Sequence, residues 1–399
     1  MSSTSPIPLA TFDASVGDPL AARFFPPEAY TSETFFRFEL DAIWYREWIC
    51  VGRLEEIPAP GDYFSLRVAG EPLLLVRASP DELVAMSAVC RHRGMIVAEG
   101  RGRSVPGFVC PYHRWTYDRR GALVGAPQMS AHQAFDAGNC ALPRLRIDTW
   151  HGFIFVNMDP EATPLASRLA ALEPIVAPYG LAELRGEFLR DPAYHFDFDA
   201  PWNWKAYSEA QGECYHCDKL HGDTPVMRGM DCGTIEMGVQ DAVNGVFSYS
   251  IQARAPDVTL NHLGRAVFPA IASLTEAERH MTHAVTIAPG LFIQLLPDSV
   301  IAVSWSPVSP SSIRIKRHRL YPQTTLDRDD FVTQHALETT ATREFVAQDE
   351  FALDRVQVGL QSRYAPRGPV SPKERVIFNF NRWLVDRYRA ADAAARHGS

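Results

Sequence analysis

The chain lacks the features of a nucleic-acid or membrane binder. It carries 39 Lys and Arg against 47 Asp and Glu, a net charge of −8. The broad basic surface of a phosphate-backbone binder is therefore missing, although a local basic patch is still allowed. No apolar run approaches the roughly 20 residues of a membrane span. The opening MSSTSPIPLATFDASVGDP has no basic stretch leading into an apolar core, and no lipidation or polybasic anchor is present. A cytoplasmic location without a membrane partner is expected. No Gly-rich loop follows a strand, so no flavin or NAD site is expected. Fixed-period repeats and low-complexity tracts are absent. Cysteine is sparse and odd in number, 7 in 399 residues. That argues for metal ligands or buried thiols rather than a disulfide framework.

With 46% hydrophobic residues, the chain can build a large core in one large or two modest domains. Residues 35–52 (FFRFELDAIWYREWICVG) read as an amphipathic helix ending near the glycine. From GDYFSLRV to WHGFIFVNMDP the period shortens to strands broken by Gly and Pro turns, an all-β unit of roughly 115 residues. Beyond residue 160, ATPLASRLAALEPIVAPYG reads as helical, and YHFDFDAPWNWKAYSEAQGECYHCDKLHG as a strand turning into a helix. GVFSYSIQAR, GLFIQLLPDSVIAVSW and SSIRIKRHRLYP read as antiparallel strands, and TTLDRDDFVTQ through VQVGL as one long helix. The terminal RAADAAARHGS reads as a fraying end. Strands followed by long helices give an α+β class.

Two short loops in the β unit carry chemistry. CRHRGM and CPYHRW supply Cys90, His92, Cys110 and His113 as Cys-x-His, 17 residues, Cys-x-x-His. One thiolate and one imidazole per loop suit a two-iron cluster with unequal irons, the thiolates on one and the imidazoles on the other. Zinc also accepts two Cys and two His, but its sites usually pair Cys with Cys and His with His.

A second cluster is ECYHCDKLH, Glu213–His221. Two histidines and one carboxylate can hold Fe(II) on one face and leave the other face open. On a regular helix His216 and His221 would stand about 140° apart, so they share an ion only if the helix bends or the side chains swing together. Glu213 shares the face of His216 and could instead receive the N–H of a histidine from another site, so it need not be a ligand. Cys214 and Cys217 read as small buried thiols, because no second pair completes a zinc site. Asp349, Glu350 and Asp354 on the long helix are open candidates for the third ligand.

With these residues in hand, the chain resembles the Rieske non-haem iron oxygenase large (alpha) subunits, the aromatic ring-hydroxylating dioxygenase family, over about residues 30–390. The respiratory branch of Rieske proteins carries extra loop cysteines and a serine where this chain has Met95, Tyr112 and Trp115. A cross-loop disulfide and a hydroxyl bond to a cluster sulfide are therefore not expected, which implies a lower potential. PWNWKAYSEAQGECYHCDKLHG is similar to the family's catalytic helix, with Ala210 where an Asn often follows the Glu.

The resemblance implies the following. Cys90, His92, Cys110 and His113 hold a 2Fe–2S cluster. His216 and His221 bind the mononuclear Fe(II). Asp349, eight residues before Gln357-Val358-Gly359-Leu360, is the third ligand, with Asp354 the runner-up. Glu213 carries electrons across a subunit boundary, from a cluster histidine, His113 or His92, to His216 or His221. Residues 1–42 would be an N-terminal helical segment packing with the catalytic domain, 43–160 the Rieske domain, and 161–399 a helix-grip catalytic domain in a head-to-tail homotrimer.

By the same resemblance, a separate NAD(P)H-dependent reductase, a ferredoxin or both would deliver electrons. Arg91, Arg93, Arg101, Arg103 and Arg114 crowd the cluster loops and could steer an acidic donor. With O2, the enzyme would hydroxylate an aromatic or small cyclic substrate. The alternative is N- or O-demethylation of a quaternary amine or methyl ether, where an aromatic cage is useful. Tyr207, Phe292 and Trp305 are pocket candidates, with Tyr215 and Phe351 also available. A reading of a different class is an electron carrier with an inactive second domain.

Overall fold

Ser32 starts a helix near the N-terminus. Its Oγ accepts a hydrogen bond from Phe35 N at 3.3 Å, capping α1, Glu33–Glu39. The structure, a computed structural model, describes residues 4–104 and 106–397. The helix expected over 35–52 is shorter. After one π turn through Trp44 the chain enters a buried strand, β1, Ile49–Arg53, because Ile49 and Val51 suit a pleated, covered surface better than a helix face.

The chain divides into two units. Trp44–Leu165 form one, and the residues before Trp44 join those after Leu165 in the other. The Trp44–Leu165 unit is built from β1, β2 (Asp62–Val68), β3 (Glu71–Ser79), β4 (Glu82–Ser87), β5 (Arg101–Arg103), β6 (Phe108–Val109), β7 (Thr116–Tyr117), β8 (Leu123–Gly125), β9 (Arg144–Trp150) and β10 (Phe153–Asn157). A seven-stranded sheet runs β1-β10-β9-β4-β3-β2-β5, and a small sheet runs β6-β7-β8. Val76, Val84, Met86, Phe108, Trp115 and Tyr117 form the core that encloses Cys90 and Cys110.

In the other unit come β11 (Arg185–Gly186), β12 (Phe196–Ala200), α2 (Trp204–Gln211), α3 (Cys217–Leu220), β13 (Met230–Asp241), β14 (Val246–Ala253), β15 (Met281–Ile287), β16 (Leu291–Leu295), β17 (Val300–Ser309), β18 (Ser312–Tyr321), α4 (Phe331–Leu360) and α5 (Arg375–His397). The sheet is antiparallel, ordered β11-β18-β17-β16-β15-β14-β13, with β12 also pairing with β18. Tyr249, Ala284, Gln294, Ile301 and Arg319 lie opposite one another across five strands, so their side chains share a face. Helices α2 and α4 cover that face: Trp305 meets Tyr207 of α2 edge-on at 5.0 Å, and Tyr321 OH donates to Glu338 of α4 at 2.8 Å.

The expected fraying end is instead the last part of α5, which runs unbroken to His397; Gly398 and Ser399 lie outside the described residues. Alanine-rich sequence favours the helix, and packing fixes it. The Tyr388 ring stands 5.6 Å from Phe12 and 5.2 Å from Phe35, and Asp392 accepts from Ser5 N at 2.8 Å. Among the described residues no helix is long and apolar enough to cross a membrane.

Candidate metal centres

The Asn-Trp-Lys stretch has a positional reason. Asn203 caps α2 by accepting from Lys205 N at 2.9 Å, and its own N–H donates to Gln357 of α4 at 2.7 Å. Trp204 and Lys205 both donate to the buried Glu39 of α1, at 3.2 and 2.7 Å. Burial pushes the Glu39 carboxyl up and the Lys205 ammonium down. These contacts fix α2 against α1 and α4 before the turn that carries His216 and His221 begins.

That turn is not helical throughout. Helix α2 stops at Gln211, and His216 and His221 sit at the two ends of the short α3. The break removes the angular mismatch that a regular helix imposes. His216, His221 and Asp349 present one ligand atom each, all within 4.8 Å of one another. Asp349 Oδ1 lies 2.9 Å from His221 Nε2 and 3.4 Å from His216 Nε2. Asp354 lies outside this group; it accepts from Trp202 Nε1 at 2.8 Å. Glu350 is also outside it, and burial pushes its carboxyl up.

The far ring nitrogens settle the tautomers. His216 Nδ1 bonds the Glu213 carboxylate, which also accepts from His216 N at 3.2 Å. His221 Nδ1 stands 2.7 Å from Gln348 Oε1. With Nδ1–H donating in both rings, both Nε2 lone pairs face one carboxylate oxygen. Three electron-rich atoms converge there, an arrangement that a cation relieves. A proton can take the place of that cation: without a metal, the bonds of His216 to Asp349 and Glu213 outweigh burial and carry its pKa up to about 10, and a bound metal would displace that proton to leave the imidazole neutral. In that metal-free state His216 and His221 also hold Asp349 below the usual carboxylate range despite its burial. This donor set of two neutral imidazoles and one carboxylate fits Fe(II) with open positions.

Cys214 and Cys217 are not separate thiols as expected. They are joined in a disulfide, and the turn between α2 and α3 brings their Cα atoms to 4.9 Å, within bridging range. A cavity of about 490 Å³ borders the triad at His216 and Asp349, and Glu209, Glu213 and Glu374 also line it. Tyr207, Phe292 and Trp305 are not among its walls; they stand on the sheet side, with Phe292 opposite Val303. Tyr215 and Phe351 are exposed at 53% and 54%, so neither lines an interior cage.

The two cluster loops have one design. Gly94 N donates to Cys90 O at 3.0 Å and Cys90 N to Met95 O at 2.8 Å; Arg114 N to Cys110 O and Cys110 N to Trp115 O repeat both distances. The thiols of Cys90 and Cys110 are buried, while His92 and His113 stand exposed at the tips with ring centroids 4.5 Å apart. Burial and the adjacent Cys90 push the Cys110 thiol up. A buried sulfur pair beneath an exposed imidazole pair fits a cluster whose two irons have unequal ligands.

Sequence reading missed Tyr117, whose OH lies 3.3 Å from Cys90 Sγ and accepts from Arg91 N at 3.0 Å. It missed Gln348 too. Neither residue sits inside a ligand motif; only adjacency to Asp349 and to the β7 strand marked them. The arginine patch is split. Arg101 bonds Glu56, and Arg103 lies 3.8 Å from Asp62. Arg91, Arg93 and Arg114 are exposed, and Arg93 donates to Tyr112 OH at 3.0 Å.

Residues 188–390 match the ring hydroxylating alpha subunit (catalytic domain) family, and residues 47–142 match the Rieske 2Fe-2S domain. The chain belongs to the ring-hydroxylating alpha subunit family. Its cofactors are accordingly a Rieske 2Fe–2S cluster and a non-haem iron. Within this family the chain is 34% identical, over 51% of its length, to the carnitine monooxygenase oxygenase subunit of Acinetobacter baumannii, and spans about half of that relative, 54%. It is 28% identical over 90% of its length to putrescine 2-hydroxylase of Ralstonia nicotianae, covering 93% of that protein. A solved quaternary ammonium Rieske monooxygenase has the same fold, with a TM-score of 0.80, 24% identity, and 97% and 100% of the two chains covered.

Proposed function

We propose that this protein is the oxygenase component of a Rieske-type system. It takes electrons from a separate NAD(P)H-dependent reductase or ferredoxin and uses O2 to oxidise a small organic substrate. The convergence of His216, His221 and Asp349 carries the reading, with the paired Cys/His loops as the electron entry. Iron at the triad supplies the activation of O2, and the cluster supplies electrons one at a time.

The chain's own residues do the positioning. Gln348 and Glu213 hold the two imidazoles by Nδ1, and Asp349 closes the donor set. Glu213 lines a cavity and bonds His216 rather than His221. This supports its role as the bridge to a cluster histidine, His113 or His92, of a neighbouring copy in a homotrimer. Tyr207 and Trp305, in contact on the sheet side, and Phe292 on the same face would exclude water and hold substrate. Two substrate classes suit such aromatic walls, rings and alkylated amines. The carnitine and putrescine named for the two relatives are aliphatic amines, which supports the amine class.

Iron analysis tests the proposal. The purified holoprotein should hold about three irons per chain, and Asp349→Ala about two, with the cluster absorption intact and turnover lost. About two irons in the unaltered protein would make it an electron carrier instead. Turnover retained by Asp349→Ala would remove Asp349 from the ligand set.

A further inference from the structure

On the sheet face that α2 and α4 cover, one cationic side chain stands without a counter-ion. Arg317 lies opposite Val303, so its side chain leaves the sheet on the side where Trp305, two residues further along β17, meets Tyr207. Arg319, the next residue on that face, is matched: Glu338 lies 3.3 Å from Nη1 and Asp298 4.0 Å from Nη2. Arg317 makes no ion pair or side-chain hydrogen bond with any other described residue. Its guanidinium lies over the Phe196 ring at 5.7 Å. The acid that acts on it most is Glu187, and burial pushes that carboxyl up to about 8, leaving it mostly protonated at neutral pH.

Arg317 is partly covered, with the Phe196 ring beside it. It is enclosed deeply enough that burial lowers the pKa of the guanidinium, yet the residue keeps accessible surface and is only half-buried. An enclosed charge without a partner is costly, and a ligand of opposite sign removes that cost. The planar fork of an arginine matches a carboxylate with two parallel hydrogen bonds. Tyr207, which meets Trp305 edge-on at 5.0 Å, stands on α2, the helix that leads to the His216–His221 turn.

We infer that Arg317 recognises a carboxylate on the substrate, anchoring one end of the molecule while its oxidisable carbon extends past Tyr207 and Trp305 to the His216–His221–Asp349 centre. This rests on the oxygenase reading above. The substrate is then a small carboxylate-bearing molecule, whether its oxidised end is an alkylated amine or a ring, and the distance from its carboxylate to the oxidised carbon becomes the selection rule. Arg317 is a specificity residue; it takes no part in activating O2.

Calorimetry on the iron-loaded protein tests this with three acids, each against its own primary amide: 4-(trimethylammonio)butanoate, hexanoate and benzoate. At least one acid should bind roughly 10- to 100-fold more tightly than its amide, the range of a charged hydrogen-bonded pair. Arg317→Gln should bring the two affinities together while leaving the amide's unchanged, and Arg317→Lys should keep part of the preference. The acid-to-amide ratio is read on folded protein alone, so partial misfolding of a variant does not alter it. No preference for any acid, or a preference that survives Arg317→Gln, overturns the inference. A protein with about three irons and turnover but no acid preference would sink this inference alone. An Arg317-dependent preference in a protein without mononuclear iron would sink the oxygenase reading and leave the anion site standing.

Discussion

Gln348 Oε1 stands 2.7 Å from His221 Nδ1, across 127 residues of sequence. The amide fixes the ring that its neighbour in sequence, Asp349, faces at Nε2. Groups that orient a ligand imidazole typically contribute 10- to 100-fold to metal affinity or activity. Gln348→Ala should therefore weaken iron retention about tenfold in a chelator competition, leaving the cluster spectrum unchanged. Gln348→Glu, which restores an acceptor, should recover most of it. Unaltered iron retention in Gln348→Ala would show that packing against Phe345, whose ring stacks on His221 at 3.8 Å, suffices to hold the ring.

Tyr117 stabilises electron density on Cys90 through its hydroxyl. Removing one hydrogen bond to a cluster sulfur destabilises the reduced form by about 1 kcal/mol, or about 40 mV for one electron. Tyr117→Phe should lower the potential of the cluster by that order in a redox titration. A potential unchanged within error would mean that the hydroxyl serves Arg91 N alone.

Glu209 accepts from Tyr30 OH at 2.6 Å, and burial raises its carboxyl from the usual 4.5 to about 8. A carboxyl raised on folding holds its proton more tightly in the native state. Its contribution to stability is complete below the unfolded pKa and is lost as pH rises through about 8. Thermal unfolding should therefore show a Tm that falls between about pH 5 and about pH 8. Glu209→Gln should flatten that slope. Glu187, raised to about 8 by its own burial, leaves a residual slope in the variant. Identical slopes would assign the whole effect to Glu187 and other groups.

Arg91, Arg93 and Arg114 present charge at the cluster tips, whereas Arg101 and Arg103 lie against Glu56 and Asp62. Reversing the first three to Glu should slow reduction by an acidic donor roughly tenfold at low salt and flatten its dependence on ionic strength. Reversing Arg101 and Arg103 should do less to the rate and more to stability. The opposite ranking in stopped-flow reduction would move the docking surface to the other side of the loops.

The strands of both units were legible as alternating or continuous apolar runs, and the candidate ligand histidines and candidate cluster residues as motifs. What stayed hidden has physical causes. Helix α1 stops short because Ile49 and Val51 are claimed by a buried strand, a decision made by tertiary partners and invisible to a helical period. The C-terminal alanines looked like a frayed end because the contacts that hold their helix, Tyr388 with Phe12 and Phe35 and Asp392 with Ser5, reach more than 350 residues back in a 399-residue chain. The Cys214–Cys217 link required the break after Gln211, which local propensity did not announce. The role of Arg317 depends on β-register, a long-range property that composition does not carry.

The polypeptide leaves the catalytic unit at Ile43 and re-enters it at Ala166. The cluster-bearing segment is thus an insert within a discontinuous domain, and the iron-binding body is completed by residues made first. Lys205, on the helix that leads to the triad, depends on Glu39 from that leading piece. A fragment beginning at Ala166 would leave this ammonium buried without its acid and bare the aromatic surface around Tyr388. Splicing residue 43 to residue 166 through a short flexible joint is the rational route to an isolated catalytic half.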